Sequence, residues 1–283
     1  MALDQQCKKC FERNFERLLI RSPLRTDQVL EFSGFFKDLL KDGDHFINPE
    51  FQREMQRKLR DMNGISDPYG DEKEFSNQLA LELYQDWKPK VLSSQDPFNM
   101  ALRLALAGNV MDYAVNQQFD LQGTIDNAIS TTFSIDHSYR LRQRIQTSSS
   151  ILYLGDNAGE IVFDKLFIET IMHPYMTYVV RGGPAINDVT LEDSVYTGMD
   201  WVADVISSGY DAPSTIVSKS NSEFKTKFES ADLIISKGQG NFEGLMAEMD
   251  SRIFYLMMVK CDLIAQKIGV PKGSFVVLNY GKN

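Results

Sequence analysis

Apolar residues recur at intervals of three and four along the first 147 residues of the chain. This spacing is typical of helices that bury one face. It is clearest in five segments: FERNFERLLI, QVLEFSGFFKDLL, PEFQREMQRKLRDM, EFSNQLALELYQDW and FNMALRLALAG, the last of which ends at Gly108. Few stretches alternate with a period of two, so the pattern predicts a helical region over residues 1–147 that contributes no sheet.

From residue 148 the pattern changes to short apolar runs, which are typical of buried strands. Six such runs follow one another: ILYL, MTYVV, VADVI, DLIIS, RIFYLMMV and SFVVL. Segments of helical period, such as IVFDKLFIETI and CDLIAQKIG, separate several of them. This alternation predicts a Rossmann-like α/β domain over residues 148–283, with a doubly wound and mostly parallel sheet. We expect the helical region to pack on this domain.

The composition agrees with two ordinary domains and disfavours several functional classes. The chain has 283 residues, of which 43% are hydrophobic and 24% charged, as in most globular proteins. Its 30 Lys and Arg against 39 Asp and Glu give a net charge of −9, which disfavours a broad nucleic-acid-binding face. No apolar signal core or membrane-spanning run is evident. We therefore expect a cytoplasmic protein with no nucleic-acid or membrane partner.

Three cysteines are too few, and odd in number, for a disulfide scaffold. Cys7 and Cys10 form a CxxC in a segment of helical period, which places the two thiols one turn apart. A structural zinc site usually has four ligands, and no second CxxC or paired-histidine motif follows. The pattern therefore favours an incidental or regulatory cysteine pair over a metal site, and redox chemistry stays open.

Polar residues and glycines follow four of the predicted strands, where an open α/β sheet binds its ligands. Asp156 and Asn157 come directly after ILYL, and Asp188 lies in the loop after MTYVV. Their carboxylate and amide oxygens suit a hard cation, mainly Mg²⁺ or Mn²⁺. Taken alone, each motif fits a turn or a helix cap about as well or better. Their shared position at strand ends favours a metal site.

Lys237 and Gly238 follow DLIIS and predict an anion site beside that metal. A lysine next to a glycine can reach a phosphate as a compact charge. The backbone N–H of Gly238 and the amides at the start of the helix after Glu160 would strengthen the site. Taken alone, Lys237 is more simply a solvated lysine. GDNAGE is not a GxGxxG fingerprint, and no GxxxxGK[ST] or GxSxG occurs, so three common site types are unsupported.

Three motifs at these loops resemble the damage-control phosphatase family, which is also described as similar to an acidic-residue methyltransferase. They are GDNAGEIVFD (155–164), RGGPAINDVT (181–190) and SKGQGN (236–241). GNVMD (108–112) resembles the family's GN-x-x-D element, and the early CxxC resembles a prokaryotic subgroup with paired cysteines. The resemblance spans nearly the whole chain.

The resemblance implies a metal-dependent phosphomonoester hydrolase that acts on small phosphorylated metabolites, such as sugar phosphates or phosphopantetheine-like compounds. Its cofactor would be a divalent ion: Mg²⁺, Mn²⁺, Co²⁺ or Ni²⁺. The motifs assign the metal to Asp156, Asn157 and Asp188. They assign catalysis to these three and to Lys237 as a phosphate clamp, with Gly238, Glu160, Asn109 and Asp112 bordering the substrate. Water is favoured over Asp156 as the nucleophile, although both stay open.

Two other functions stay open. An S-adenosylmethionine-dependent carboxyl methyltransferase would use the same sheet edge. It usually has a glycine-rich first loop and an acid after the second strand, whereas this chain has GDNAG and then Arg181 and Gly182. A non-catalytic module that binds a metal and a phosphometabolite would need the same ligands as the phosphatase. The phosphatase is favoured over the methyltransferase, and the oligomeric state is left open.

Overall fold

A computed structural model describes residues 3–21, 23–108 and 121–281. The helices are α1 (Gln5–Arg21), α2 (Thr26–Lys41), α3 (Asn48–Asn63), α4 (Gly70–Ser93), α5 (Pro97–Ala107), α6 (Leu121–Ser130), α7 (Ser138–Thr147), α8 (Glu160–Ile171), α9 (Leu191–Thr197), α10 (Ser222–Ser230), α11 (Gly238–Leu245) and α12 (Asp262–Ile268). The strands are β1 (Ile135–Asp136), β2 (Ile151–Leu154), β3 (Met176–Val180), β4 (Asp204–Ser207), β5 (Leu233–Lys237), β6 (Ile253–Met258) and β7 (Phe275–Leu278).

The described strands form one sheet in the order β1-β7-β6-β5-β2-β3-β4. Neighbouring strands from β6 to β4 are parallel, while β7 is antiparallel to β6. The predicted mostly parallel α/β sheet is therefore confirmed. The prediction that residues 1–147 contribute no sheet is wrong, because β1 pairs with β7. A strand of two residues at the edge of a sheet is too short to produce a period-two pattern.

The sheet has a switch point between β2 and β5. From β2 the chain adds β3 and then β4 on one side, and it returns to the other side of β2 with β5 and then β6. The loops after β2 and β5 consequently leave the sheet in opposite directions. A crevice forms at the carboxyl ends of the strands where this happens, and α/β proteins bind ligands there. Residues 155–160 and 237–241 both lie at this crevice.

Helices cover both faces of the sheet. Side chains along a strand alternate between the faces. Ile151 and Tyr153 accordingly belong to a core with helices α4, α5 and α8, while Leu152 and Leu154 belong to a second core with α10, α11 and α12. Two of the N-terminal helices therefore bury their apolar faces against the sheet, as expected for a helical region that packs on the α/β domain.

The first three helices pack around a third, separate apolar cluster. It is rich in aromatic residues; Phe32 and Phe51 are fully buried there, and the Phe15 and Phe36 rings stack with their centroids 4.4 Å apart. The cluster is joined to the α/β part through α3, which contacts α11. The predicted domain boundary near residue 148 stays a prediction. In the ranges that the structure describes, no helix combines the length and apolar character needed to cross a membrane.

Candidate active site at the switch point

The three predicted metal ligands lie together in the structure. Asn157 and Asp188 form an isolated antiparallel bridge, and the N–H of Val189 donates to the carbonyl of Asp156 at 2.8 Å. These bonds join the loop after β2 to the loop after β3. The side chains of Asp156, Asn157 and Asp188 are buried, with exposures of 5%, 4% and 4%. Ligands of an open α/β sheet bind at the carboxyl ends of its strands, an expectation that we call the strand-end rule. This rule predicted that these two carboxylates and one amide would lie together.

One arginine connects the two carboxylates. Nε of Arg181 donates to Oδ2 of Asp188 at 2.5 Å, and Nη2 of Arg181 lies 3.5 Å from Oδ1 of Asp156. On the other side, the amide of Asn157 donates to Asp156 at 3.0 Å and to Glu160 at 3.2 Å. The guanidinium and the amide fix the orientation of both carboxylates before any ligand binds.

Gly238 lies directly against Asp156. Its φ of +74° is in the left-handed region that favours glycine, and a Cβ there would be 1.8 Å from Oδ2 of Asp156. Asn241 holds this turn in place, because its amide donates to the carbonyls of Gly155 at 3.0 Å and of Lys237 at 2.8 Å. Glycine at 238 is therefore a requirement of the site, since a larger residue would displace the carboxylate.

The structure gives Lys237 partners other than the predicted phosphate. The side chain is fully buried, and its ammonium donates to Glu160 at 2.6 Å, to Asp164 at 2.5 Å and to the carbonyl of Ala105 at 2.9 Å. An ammonium has three N–H groups, and these three acceptors engage all of them. In this structure Lys237 and Glu160 therefore bind each other, and a phosphate clamp would have to break that buried pair.

Two tyrosines complete the surroundings of Asp164. The hydroxyl of Tyr153 donates to Oδ1 of Asp164 at 2.8 Å, and that of Tyr178 donates to Oδ2 at 3.0 Å. Burial raises the pKa of both tyrosines, and the nearby charge of Asp164 raises it further, so both stay protonated donors. Lys237, Glu160, Asp164 and these two hydroxyls form what we call the buried lysine cluster.

The site as a whole has more buried acidic than basic side chains. Four buried carboxylates meet two buried cations there: Asp156, Asp188, Glu160 and Asp164 against Arg181 and Lys237. Burial raises the pKa of Asp156 well above its usual value, and the charges of Asp188 and Glu160 raise it further. A cation that entered beside Asp156 would relieve both effects.

Sequence reasoning missed two residues of α4 that support the site. Asn77 accepts a hydrogen bond from the N–H of Gly159 at 2.6 Å and donates to Asp193 at 2.8 Å. Lys73 forms an ion pair with Asp193 at 2.8 Å. Both residues are buried. The sequence did contain an indication of this role. Both residues lie on the stripe of α4 that otherwise carries Ala80, Tyr84, Trp87 and Val91, and a polar residue buried there needs a hydrogen-bonding partner.

Lys260 was also missed. It follows β6, whose carboxyl end lies at the same edge because β6 is parallel to β5. Its backbone N–H donates to the side chain of Gln239 at 2.8 Å, next to Gly238, and its positive charge lowers the pKa of Asp156. Lys260 also lines a cleft at this edge. Applying the strand-end rule to a fifth strand would have found it.

The three cysteines line this same cleft, although 254 positions separate Cys7 from Cys261. Burial raises the pKa of Cys7 to about 12, and the charges of Glu243 and Cys261 contribute. All three are free thiols.

No three His, Cys, Asp or Glu side chains among the described residues are arranged to hold a metal ion. The predicted set of Asp156, Asn157 and Asp188 contains only two such side chains. Asn109 and Asp112 lie outside the described residues.

Known proteins share both the sequence and the fold. The family model of the damage-control phosphatase ARMT1-like domain, which describes the sequences of that family, matches residues 4–276 of this chain. Damage-control phosphatase PH1575 of Pyrococcus horikoshii is 36% identical over 222 residues, which cover 76% of this chain and 75% of that protein. A damage-control phosphatase of Archaeoglobus fulgidus is 32% identical over 237 residues, covering 81% of this chain and 82% of that protein.

A solved structure agrees with these relatives. The crystal structure of the Pyrococcus horikoshii protein, titled a DUF89 family protein, matches with a TM-score of 0.90 and 29% sequence identity. The match covers 99% of this chain and 100% of that one. Together with the motifs at the switch point, these matches confirm the predicted resemblance. This chain belongs to the damage-control phosphatase ARMT1-like domain family.

Proposed function

We propose that this protein is a divalent-metal-dependent phosphomonoester hydrolase of small phosphorylated metabolites. The observation that carries the proposal is the meeting of Asp156, Asn157 and Asp188 at the switch point, with more buried carboxylates than cations around them. The names of two relatives, both damage-control phosphatases, support hydrolysis of phosphate esters.

The residues present fit a hard divalent cation. Two carboxylates and an amide are oxygen donors, which Mg²⁺ and Mn²⁺ prefer, and Co²⁺ and Ni²⁺ also accept such donors. The raised pKa of Asp156 shows a carboxylate whose charge burial and neighbouring acids disfavour, and a cation would stabilise that charge. When bound, the metal would polarise the phosphate and stabilise negative charge on the transferring phosphoryl group.

The protein's own residues then have separate tasks. Arg181 holds the carboxylate of Asp188 in one orientation. Gly238 leaves the space that the carboxylate of Asp156 occupies. Lys260, from the cleft side, offsets charge on the phosphate oxygens, the task that the motif assigned to Lys237. Lys237 keeps the buried lysine cluster rigid behind the carboxylates.

A metal and substrate screen tests this function. We expect Mg²⁺, Mn²⁺, Co²⁺ or Ni²⁺ to support hydrolysis of p-nitrophenyl phosphate and of members of a phosphometabolite panel. Asp156→Ala and Asp188→Ala should abolish this activity and keep the circular dichroism spectrum of the wild type. Full activity in both variants would contradict the proposal. Tight binding of panel members without phosphate release would instead identify a binding module.

Metal binding has a second readout. A cation bound by the folded state alone stabilises it by about 2.7 kcal/mol at a hundred times its dissociation constant. We therefore expect the activating metal to raise the unfolding temperature of the wild type, and EDTA to reverse the rise. Asp156→Ala should lose this metal-dependent rise in unfolding temperature, because the carboxylate of Asp156 is one of the three proposed ligands. An equal rise in wild type and variant would place the metal elsewhere.

A further inference from the structure

A cleft of about 610 Å³ runs from the candidate active site to α1. Its inner end is lined by Ile186, Gln239 and Lys260, which neighbour the Asp188, Gly238 and β6 parts of the site. One face of α1 forms the opposite wall. A phosphate alone would fill a small part of this volume, which falls within the range of sites that enclose whole small molecules.

The walls of the cleft are positive in a protein that is negative overall. Its basic lining residues are Arg13, Arg17, Lys260 and Lys272, and its acidic ones are Glu243 and Asp262, in a chain of net charge −9. Burial raises the pKa of Glu243, and the amides of Asn48 and Gln239 donate to its carboxylate. The local excess of cations favours an anionic occupant.

Arg13 and Arg17 form the outer part of this positive wall. They are four residues apart and thus share one face of α1. Both are exposed, and within the part of the chain that the structure describes neither forms an ion pair. Phe11 and Phe15 alternate with the arginines along α1 and also line the cleft, so its wall is partly apolar there.

The geometry of α1 gives the approximate distance between the inner end of the cleft, near Lys260, and the outer part formed by Arg13 and Arg17. Cys7 of α1 and Cys261, the residue after Lys260, line the same part of the cleft wall, near β6 and α1. A helix rises by about 1.5 Å per residue, so Arg13 and Arg17 lie roughly 9 Å and 15 Å farther along α1 than Cys7. A molecule with its phosphate near Lys260 would need a spacer of this order to reach them.

We propose that this cleft holds the non-reacting part of the substrate, and that this part ends in a second anionic group bound by Arg13 and Arg17. The substrate class is then an elongated phosphomonoester with a largely apolar middle and an anion at the far end. This inference rests on the proposed phosphatase function. It assigns α1 a role in substrate choice, separate from the chemistry at Asp156.

A matched pair of substrates tests the inference: 8-(phosphonooxy)octanoate and its methyl ester. We expect the wild type to favour the carboxylate by about tenfold in kcat/KM, mainly through KM, since the charge-assisted hydrogen bonds add binding energy away from the reacting atoms. The double variant Arg13→Gln/Arg17→Gln should reduce this preference to less than about twofold and leave the ester unchanged. Lys9→Gln, an exposed cation of α1 outside the cleft, should retain the full preference.

Equal kinetics for the two wild-type substrates would overturn the inference, as would an unchanged preference in the double variant. Calorimetry with the corresponding non-hydrolysable phosphonates separates this outcome from failure of the proposed function. If no phosphoester is hydrolysed with any metal, the phosphatase proposal fails. Tighter binding of the carboxylate phosphonate, lost in the double variant, would still support the cleft. Equal binding of both phosphonates would overturn it.

Discussion

Two pairs of acids lie side by side at the switch point and differ in how their shared cation bonds to them. Glu160 and Asp164 share the ammonium of Lys237, and both are fully buried. Asp156 and Asp188 are almost as buried, but the buried cation between them is a single guanidinium that hydrogen-bonds to one of the two. Each pair thus has two acids for one buried cation, but the cation hydrogen-bonds to both acids of the first pair and to Asp188 in the second.

The difference separates structure from chemistry. A buried charge that keeps its partner stabilises a defined arrangement, and removing that partner is strongly unfavourable. Lys237 has this structural role toward Glu160 and Asp164. Burial and the charges of Asp188 and Glu160 disfavour the ionised form of Asp156, and another cation would relieve this. We therefore attribute ligand binding to the second pair and rigidity to the first.

Removing the ammonium of Lys237 should have the largest effect on stability. Lys237→Met keeps the length of the side chain and leaves two buried carboxylates without their cation, which costs about 3–5 kcal/mol in the free energy of unfolding. Urea denaturation measures this cost. The matched control is Lys260→Met at the cleft, which should cost less than about 1 kcal/mol and raise KM for phosphate esters.

The two lysine variants test the comparison directly. A stability loss in Lys260→Met as large as that in Lys237→Met would remove the distinction between the pairs. A stable Lys237→Met protein with a selective rise in KM would restore Lys237 to the phosphate clamp that its motif predicts.

Crowding the carboxylate of Asp156 should reduce activity more than stability. Gly238→Ala places a methyl group 1.8 Å from the present position of Oδ2 of Asp156, so the carboxylate must move. Misplacement by about 1 Å can lower kcat/KM about a hundredfold, while overpacking and a left-handed alanine cost about 1–3 kcal/mol. Steady-state kinetics and urea unfolding measure the two effects.

Gly34→Ala is the matched control for Gly238→Ala. Gly34 lies within α2, and a Cβ there meets no atom within 4 Å. Alanine inside a helix should therefore keep full activity and raise the free energy of unfolding by about 0.5–1 kcal/mol. Near wild-type activity in Gly238→Ala would show that the position of the Asp156 carboxylate does not limit the reaction.

The comparison also shows how far sequence reasoning extends. The strand-end rule requires only strand order and polarity, and it brought Asp156, Asn157 and Asp188 together correctly. It could not assign Lys237, which is the last residue of β5. A lysine there can point outward to a ligand or inward to α8. The choice depends on Glu160, Asp164 and the carbonyl of Ala105, which tertiary packing brings together.

Other features escaped prediction for different reasons. The two residues of β1 carry no periodic signal, and their pairing with β7 depends on packing across more than 130 positions. The buried role of Asn77 could have been predicted, since a polar residue on an apolar helix stripe needs a hydrogen-bonding partner. Its partner Asp193 and its hydrogen bond with Gly159 belong to distant loops that a helical pattern does not show.

Asp211 extends the comparison to a partly buried acid that has two cationic partners. It pairs with Arg53 at 2.5 Å and with Arg60 at 2.7 Å, which joins α3 to the α/β part. Burial alone would raise its pKa, but the two arginines together hold the pKa below the ordinary value of 3.8. The folded state therefore favours the carboxylate, and this contribution is complete above pH 4–5 and is lost as the pH falls through the folded pKa.

Asp211→Asn should accordingly show the smallest effect, and one that depends on pH. At pH 7 we expect it to lower the free energy of unfolding by about 1 kcal/mol, since partial exposure screens the pair. The difference from wild type should shrink as urea unfolding is repeated toward pH 3, because protonation removes the charge in the wild type as well. Asp38→Asn, at the exposed pair with Lys41, should change stability by less than about 0.5 kcal/mol at any pH. A difference for Asp211→Asn that stays constant down to pH 3 would mean that shape and hydrogen bonding, and not charge, join α3 to the α/β part.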